Sequence, residues 1–285
     1  MKLLGDKRVA FQGERGAFSE EAAIKLLGDE VSLVPLPNFE AAFSAIAQQE
    51  ADYVLAPIEN SLAGPVQRSL DLLVESDLII AGEVIIRVEH NLIGAPGSTF
   101  DDVAIVESHP VALAQCESFF SSRPSLKRIA TDDTAGSVRE IVQAGDRKRA
   151  AIASKRAAQI YGGQILRTNL EDDPENYTRF VLLAPAREAI PERADKISLV
   201  FRLAHVPGAL FYALEPFARR KINLMKVESR PVRGLPWQYR FYLDLQASAG
   251  DPEVRAALDE LKKLAVDVRI LGSYVSAKSE NRSAE

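Results

Sequence analysis

Apolar and polar residues along this chain follow two periods, and the switches between them mark out its elements. Short apolar runs bounded by turn residues predict strands at 8–12, 31–34 and 52–57. Between them the apolar positions recur at helical spacing. Phe39, Ala42, Phe43 and Ile46 follow Asn38, and Val66, Leu70 and Leu73 follow Pro65. Asn38 is a helix cap by type, and Ser19 is expected to cap a helix whose first turn carries Glu20 and Glu21. Pro65 suits a first helical position. Further strands are predicted at 78–86, 102–106, 127–130 and 150–153. A helix with Leu113, Cys116, Phe119 and Phe120 on one face is expected after Ser108-His109-Pro110, with Ser108 as its cap. Others start at Asp132-Asp133-Thr134 and at Ser154, the latter stopping at Gly162-Gly163. The chain then returns to Asn176-Tyr177-Thr178-Arg179-Phe180 and the apolar run to Ala184, which reads as a buried strand. Strands feeding helices in this way predict an α/β fold.

Residues 185–195, with Pro185, Pro191 and several charges, read as a linker. After it, strands are predicted at 196–203, 223–227, 239–245 and 268–274. One helix runs through Leu210, Leu214 and Phe217, and another through Val254, Leu258, Leu261 and Leu264. That βαββαβ order is the ferredoxin-like split βαβ pattern. The polar stretch 276–285 reads as a disordered tail.

Composition narrows the function. The 285 residues are 47% hydrophobic, enough for one large core or two smaller ones. A formal net charge of −5 speaks against nucleic acid or an anionic membrane as a general partner, and no apolar run approaches membrane-spanning length. The first eight residues lack a long apolar segment, so no signal peptide is expected. The single cysteine, Cys116, leaves no internal disulfide and fits a reducing compartment, so a cytoplasmic location is expected.

The three histidines are widely spread and no metal ligand set has the right spacing. Gly13-Glu14-Arg15-Gly16 is not a dinucleotide fingerprint, and no Walker loop is present. Neither a metal nor a cofactor is expected. Polar residues do gather where strands end and helices begin: Ser19, Asn60-Ser61, Ser108, Asp132-Asp133-Thr134 and Ser154. Helix N-termini at such ends favour a small anionic ligand, although these residue types also cap most helices. Thr178 and Arg179 begin a strand and take opposite faces. A hydroxyl held on a rigid strand can polarise a leaving oxygen. Taken alone, a β-branched residue of high strand propensity beside an ion-paired arginine is the simpler reading.

Taken together, the motifs are more specific. They are Gly13 to Glu20, Pro57-Ile58-Glu59-Asn60-Ser61 with Gly64, Asp71-Leu72-Leu73, Ser108-His109-Pro110 with Ala114-Gln115-Cys116, Asp133-Thr134-Ala135, Ala151-Ile152-Ala153-Ser154, and Asn176 with Thr178-Arg179-Phe180. Gly208-Ala209-Leu210-Phe211 and Asn223-Leu224 with Glu228-Ser229-Arg230-Pro231 follow in the C-terminal part. In this order the chain resembles the prephenate dehydratases that carry a C-terminal ACT regulatory domain. The resemblance implies a two-lobed catalytic domain similar to type-2 periplasmic binding proteins over 1–184, a linker over 185–195 and an ACT domain over 196–275. It implies a cofactor-free lyase that converts prephenate to phenylpyruvate, with Thr178 as the catalytic residue. Substrate contacts are expected from Asn60, Ser61, Ser108, Gln115, Asp132, Thr134, Arg179 and Phe180. L-phenylalanine is the implied effector, held by Gly208, Ala209, Leu210, Asn223, Leu224, Glu228 and Ser229 where two subunits of a homodimer or homotetramer meet. An ordinary ferredoxin-like fold with a tight turn accounts for the same C-terminal residues without an effector. Arogenate as substrate, and a non-catalytic amino-acid sensor, are the other functions open at this point.

Overall fold

The computed structural model describes residues 7–186, 193–232 and 234–277. By packing, the chain divides into two compact units, Met1–Leu72 with Val84–Phe180, and Leu73–Glu83 with Val181–Glu285. Most of the linker expected at 185–195 and of the tail expected at 276–285 lies outside the described residues. Division by packing departs from a division in that linker, because residues 73–83 and 181–184 go with the C-terminal unit.

The chain opens with β1 (Arg8–Gln12), α1 (Phe18–Leu27), β2 (Ser32–Leu36), α2 (Phe39–Ser44), β3 (Tyr53–Asn60), β4 (Gly64–Pro65), α3 (Gln67–Glu75) and β5 (Leu78–Arg87). It continues with β6 (Asn91–Gly94), a 3₁₀ turn at Phe100–Asp102, β7 (Ile105–Ser108), α4 (Pro110–Ala114), α5 (Glu117–Ser121) and β8 (Lys127–Ala130). Then come α6 (Thr134–Ala144), β9 (Arg149–Ala153), α7 (Lys155–Tyr161), β10 (Gln164–Arg167) and β11 (Tyr177–Pro185). One sheet has the order β2-β1-β3-β11-β5, with β1 parallel to β2 and β3. The other has the order β10-β6-β9-β7-β8, with β7 parallel to β8 and β9, and β6 antiparallel to its two neighbours. This second sheet is packed on both faces. Leu92, Val106, Phe120 and Ile152 fill one side, and Ile93, Ile141, Ala151 and Ala153 the other. That explains why β9 reads as a continuous apolar run rather than an alternating one.

Several local expectations change. Ser19 is not the cap of α1: Ala17 holds that place, and the buried carboxylate of Glu20 accepts the Gly16 N–H at 2.7 Å instead. Gly16 has φ +86° and its Cα faces Ala157 so closely that a Cβ would fall 2.7 Å from the Ala157 Cα. Ser154 caps α7 as expected and also donates to the Gly16 carbonyl at 2.6 Å. Pro65 belongs to β4, paired antiparallel with the end of β3, not to a helix. Asp102 lies in the capped 3₁₀ turn rather than a strand, with the Thr99 backbone N–H bonded to its carboxylate. The helix expected through Leu113 and Phe120 is broken after Gln115. The Asp172 carboxylate takes the Glu117 and Ser118 N–H groups at 2.8 Å each, restarting it as α5.

The second unit contains β12 (Lys196–Arg202), α8 (Ala209–Arg219), β13 (Asn223–Val232), β14 (Leu235–Gln246), α9 (Pro252–Leu264) and β15 (Asp267–Tyr274), in the expected βαββαβ order. Its antiparallel sheet runs β13-β14-β12-β15, and Asp251 caps α9 through the Glu253 N–H. Ile197, Leu199, Phe201, Leu243 and Leu245 pack against Ala213, Phe217, Leu258 and Leu261 of the helices. Away from that core, Lys196 Nζ is buried 3.0 Å from Glu83 Oε2 and 3.9 Å from Asp244 Oδ2. Ser198 Oγ donates to Asp244 and lies 2.6 Å from the Tyr274 hydroxyl. Arg269 donates to the Val74 and Leu78 carbonyls at 2.9 Å each. Gly272 lies so close to Ile80 that a Cβ would approach the Ile80 carbonyl oxygen to 2.3 Å.

Candidate active site

A cavity of about 510 Å³ opens in the first unit, a size suited to a small molecule. The ends of β1 and β3 and the start of β11 bring Gln12, Asn60 and Thr178 to it. Loops of the second sheet bring His90, His109 and Asp132. This is where an open α/β sheet places ligands, beyond strand ends and beside helix N-termini.

Of the residues expected to contact substrate, Thr178, Asn60, Gln115, Asp132 and Thr134 line the cavity. The other four are placed elsewhere, each for a visible reason. Ser108 is fully buried and donates to the Ile152 carbonyl at 2.6 Å, so it ties β7 to β9. It is not the cap of α4 either: His109 is, its Nδ1 accepting the Val111 N–H at 3.2 Å. Ser61 donates to the Glu175 carbonyl and accepts the Tyr177 N–H, fixing the chain just before Thr178. Arg179 is buried on the opposite face of β11, with Nη1 3.7 Å from Glu59 Oε2. Phe180 is in the core.

Around Thr178 the polar groups form a connected set. Asn60 Nδ2 donates to Thr178 Oγ1 at 3.0 Å and to Asn176 Oδ1 at 2.8 Å. Asn176 Nδ2 donates to Gln115 Oε1 at 3.0 Å, and the same oxygen lies 2.9 Å from His90 Nε2. Asn176 is fully buried and Thr178 is 9% exposed, so these bonds form in a low-dielectric setting. Burial holds His90 below the usual imidazole range, although the Gln115 bond and the nearby Glu171 pull the other way. His90 was not singled out by its sequence context, where it is one histidine ahead of an ordinary apolar strand. His109 had a signal: a proline at the first helical position makes the residue before it the cap.

Among the described residues no lysine or arginine lines the cavity, whereas Asp132 and Asp133 do. Asp133 is occupied as the cap of α6, accepting the Gly136 N–H. Helix N-termini do reach the cavity: Phe18, Val66 and Thr134 line it at or beside the starts of α1, α3 and α6, the ends that favour negative charge.

In the second unit, Gly208 caps α8 in the left-handed conformation, and Ala209 and Leu210 open the helix against the core. Leu224 also packs on that core, and Asn223 donates to Gln246 Oε1 at 3.0 Å. Ser229 pairs with Phe241 and Glu228 with Tyr242, so the two point to opposite faces of the sheet.

The prephenate dehydratase family model matches residues 9–188. The arogenate dehydratase/prephenate dehydratase 2 of Arabidopsis thaliana is 44% identical over 279 residues, covering 94% of this chain and 72% of that protein. A solved structure described as GqqA, a novel type of quorum quenching acylase, superposes with a TM-score of 0.87 at 34% identity over 95% of this chain and 98% of that one. The prephenate dehydratase of Arthrobacter aurescens, solved in complex with L-Phe, superposes with a TM-score of 0.86 at 32% identity over 94% of this chain and 90% of that one. The matched span contains every residue that lines the cavity, from Gln12 to Thr178, and on this evidence of sequence and fold the chain belongs to the prephenate dehydratase family.

Proposed function

We propose that the cavity converts prephenate to phenylpyruvate, carbon dioxide and water. The observation that carries the reading is the Thr178 hydroxyl. Its oxygen accepts from Asn60 at 3.0 Å, so its own proton is directed to a different acceptor, and the residue lines the cavity. In the reaction the ring carboxylate leaves as carbon dioxide, its bonding electrons move through the ring, and the carbon–oxygen bond opposite breaks. The departing hydroxide takes a proton and leaves as water, and aromatisation drives the step. A threonine is too weak an acid to supply that proton alone. Thr178 acts as a hydrogen-bond donor that polarises the departing oxygen and holds it in line. Helix N-termini at the rim receive the substrate's carboxylates, in place of a guanidinium or ammonium side chain.

Arogenate is the second reading, and the cavity itself favours keeping it. An ammonium in place of the keto group would meet the acidic side of the lining at Asp132. The Arabidopsis thaliana relative is named for both activities. Purified protein is assayed with prephenate and with arogenate, following phenylpyruvate and phenylalanine respectively. Activity on neither, from folded protein, would sink the lyase reading.

We also propose that the second unit is an ACT domain that binds phenylalanine between two subunits. The Arthrobacter aurescens structure, solved in complex with L-Phe, supports phenylalanine as the ligand, and the left-handed cap at Gly208 gives α8 an N-terminus suited to a carboxylate. A second subunit is supported by β13, the edge strand of its sheet, and by the exposed Val227, Trp237 and Tyr239 beside it. Calorimetric titration with phenylalanine, run beside the rate assay, tests the proposal. No heat of binding and no change in rate would remove it.

A further inference from the structure

The polarity of the amides around Thr178 is set by backbone groups that have only one role open to them. Asn60 Oδ1 receives the Leu62 N–H at 3.0 Å and the Ala63 N–H at 2.7 Å. A backbone N–H only donates, so that atom is the oxygen and the other is the nitrogen. Asn60 Nδ2 then donates to Asn176, which makes the receiving atom Asn176 Oδ1. The remaining atom, Asn176 Nδ2, donates to Gln115, which makes that atom Oε1. An oxygen with no hydrogen of its own lies 2.9 Å from His90 Nε2, so Nε2 must carry the proton. The direction imposed at Leu62 and Ala63 is thereby carried through side chains from distant parts of the sequence to one imidazole tautomer.

His90 is built for that tautomer. Its ring is 2% exposed and meets the edge of Phe18 at a centroid distance of 5.8 Å. Its backbone N–H is held by Glu171 Oε2 at 2.9 Å and its carbonyl receives the Leu170 N–H at 2.9 Å. Nδ1 is buried with no hydrogen-bond partner among the described residues, as fits a bare lone pair and not an N–H. Burial also disfavours a charged ring at this place.

Resting on the lyase reading above, we infer that His90 is a positioning residue for the Thr178 hydroxyl. Its Nε2–H closes the far end of the amide chain. Without that donor, Gln115 is free to rotate and present its NH₂ where Asn176 needs an acceptor. Asn176 can then rotate in turn and turn its NH₂ against that of Asn60, whose polarity Leu62 and Ala63 fix, pushing the Asn60 amide from its seat between Thr178 Oγ1 and the Tyr177 carbonyl. The hydroxyl proton of Thr178 is no longer confined to the cavity direction. His90 does this without touching the reacting atoms.

The full chain is labelled with ¹⁵N-histidine, and the His90 ring is assigned by comparison with His90→Gln. The expected spectrum shows Nε2 protonated and Nδ1 bare. A ring protonated at Nδ1 overturns the inference whatever the activity. In kinetics, His90→Leu is expected to lower kcat by roughly 10–10²-fold with little change in KM, the size seen when a reacting group is misaligned. His90→Gln keeps an N–H donor for Gln115 and is expected to recover most of the loss. In a Thr178→Ala background, His90→Leu should cost no further activity, because the group it positions is already gone. Equal losses in both backgrounds, or a His90→Gln protein as slow as His90→Leu while folded, would overturn the assignment. If His90→Leu does not fold, the tautomer and His90→Gln decide alone. Wild-type protein inactive on both substrates sinks the lyase reading and leaves the tautomer result standing.

Discussion

Two of the buried polar networks among the described residues are built on opposite plans. Around Thr178 the members are three amides, Asn60, Asn176 and Gln115, and a histidine that burial holds below the usual imidazole range. In the second unit the members are ions: Lys196 with Glu83 and Asp244, joined to Ser198 and Tyr274. Neutral amides are directional, because each carries a donor end and an acceptor end that cannot be exchanged without a rotation. They fix where a proton points and put no charge into the cavity. An ion pair is less particular about direction and far more costly to break, since removing one partner strands a charge away from water. The first plan suits a site that must aim a hydroxyl, and the second suits a joint that must not open.

Thr178→Ala is the largest test of the first half of this comparison. We expect turnover to fall roughly 10²–10⁴-fold, as for loss of a positioned hydrogen-bonding group, with thermal unfolding almost unchanged. Thr178→Ser should retain more, because the hydroxyl remains. A large drop in melting temperature would mean that the amide network holds the fold together rather than aims a proton.

Lys196→Met tests the second half. It removes the buried ammonium that donates to both Glu83 oxygens and should destabilise the protein by about 3–5 kcal/mol in denaturant unfolding. Pairing it with Glu83→Leu should recover part of that loss, since the nearer carboxylate then goes with the ammonium while Asp244 stays in place. A Lys196→Met protein as stable as wild type would show that this joint contributes nothing.

Glu20 extends the comparison to pH. Burial alone would raise its carboxyl, but Arg156, the Gly16 N–H and Arg15 outweigh burial and hold it below the usual carboxylate range. A depressed folded value means that Glu20 contributes stability above the unfolded carboxylate range, and that this contribution is lost as pH falls through the folded value. The melting-temperature gap between wild type and Glu20→Gln should therefore be widest near neutrality and close in acid below about pH 4. A gap that widens in acid would contradict the assignment.

The smallest expected effect is at Ser108. Losing its bond to the Ile152 carbonyl should cost about 0.5–1.5 kcal/mol in Ser108→Ala, with KM unchanged. A clear rise in KM with normal stability would return Ser108 to the substrate-binding set.

What could be read in the sequence divides along the same physical line. Periodicity exposed β9, β12 and α9, because burial on one or both faces writes itself into adjacent residues. Asn38, Asp133 and Ser154 were legible as caps, since a cap and its helix are neighbours in the chain. The break between α4 and α5 was not legible, because the carboxylate that causes it is Asp172, more than fifty residues further on. Ser19 and Ser108 misled for a related reason. His109 meets the Val111 N–H of α4, whereas no side chain caps α1 and Glu20 takes the Gly16 N–H ahead of it, and no propensity scale distinguishes these cases. In the site, Thr178, Asn60 and Gln115 were readable from their motif, whereas His90 emerges only when distant strands bring Nε2 to Gln115.

The shared strands also bear on how such proteins recombine. β5 and β11 each contribute residues to both units, and residues 73–83 pack with the C-terminal unit through Glu83 on Lys196, Val74 and Leu78 on Arg269, and Ile80 against Gly272. A crossover placed between β11 and β12 looks clean on paper, yet it would graft a foreign sheet onto a native 73–83 segment, mismatching an ionic joint and a position where only glycine fits. Productive chimaeras between relatives therefore need to inherit that short internal segment together with the C-terminal module, so the heritable unit of this C-terminal piece is discontinuous in the gene.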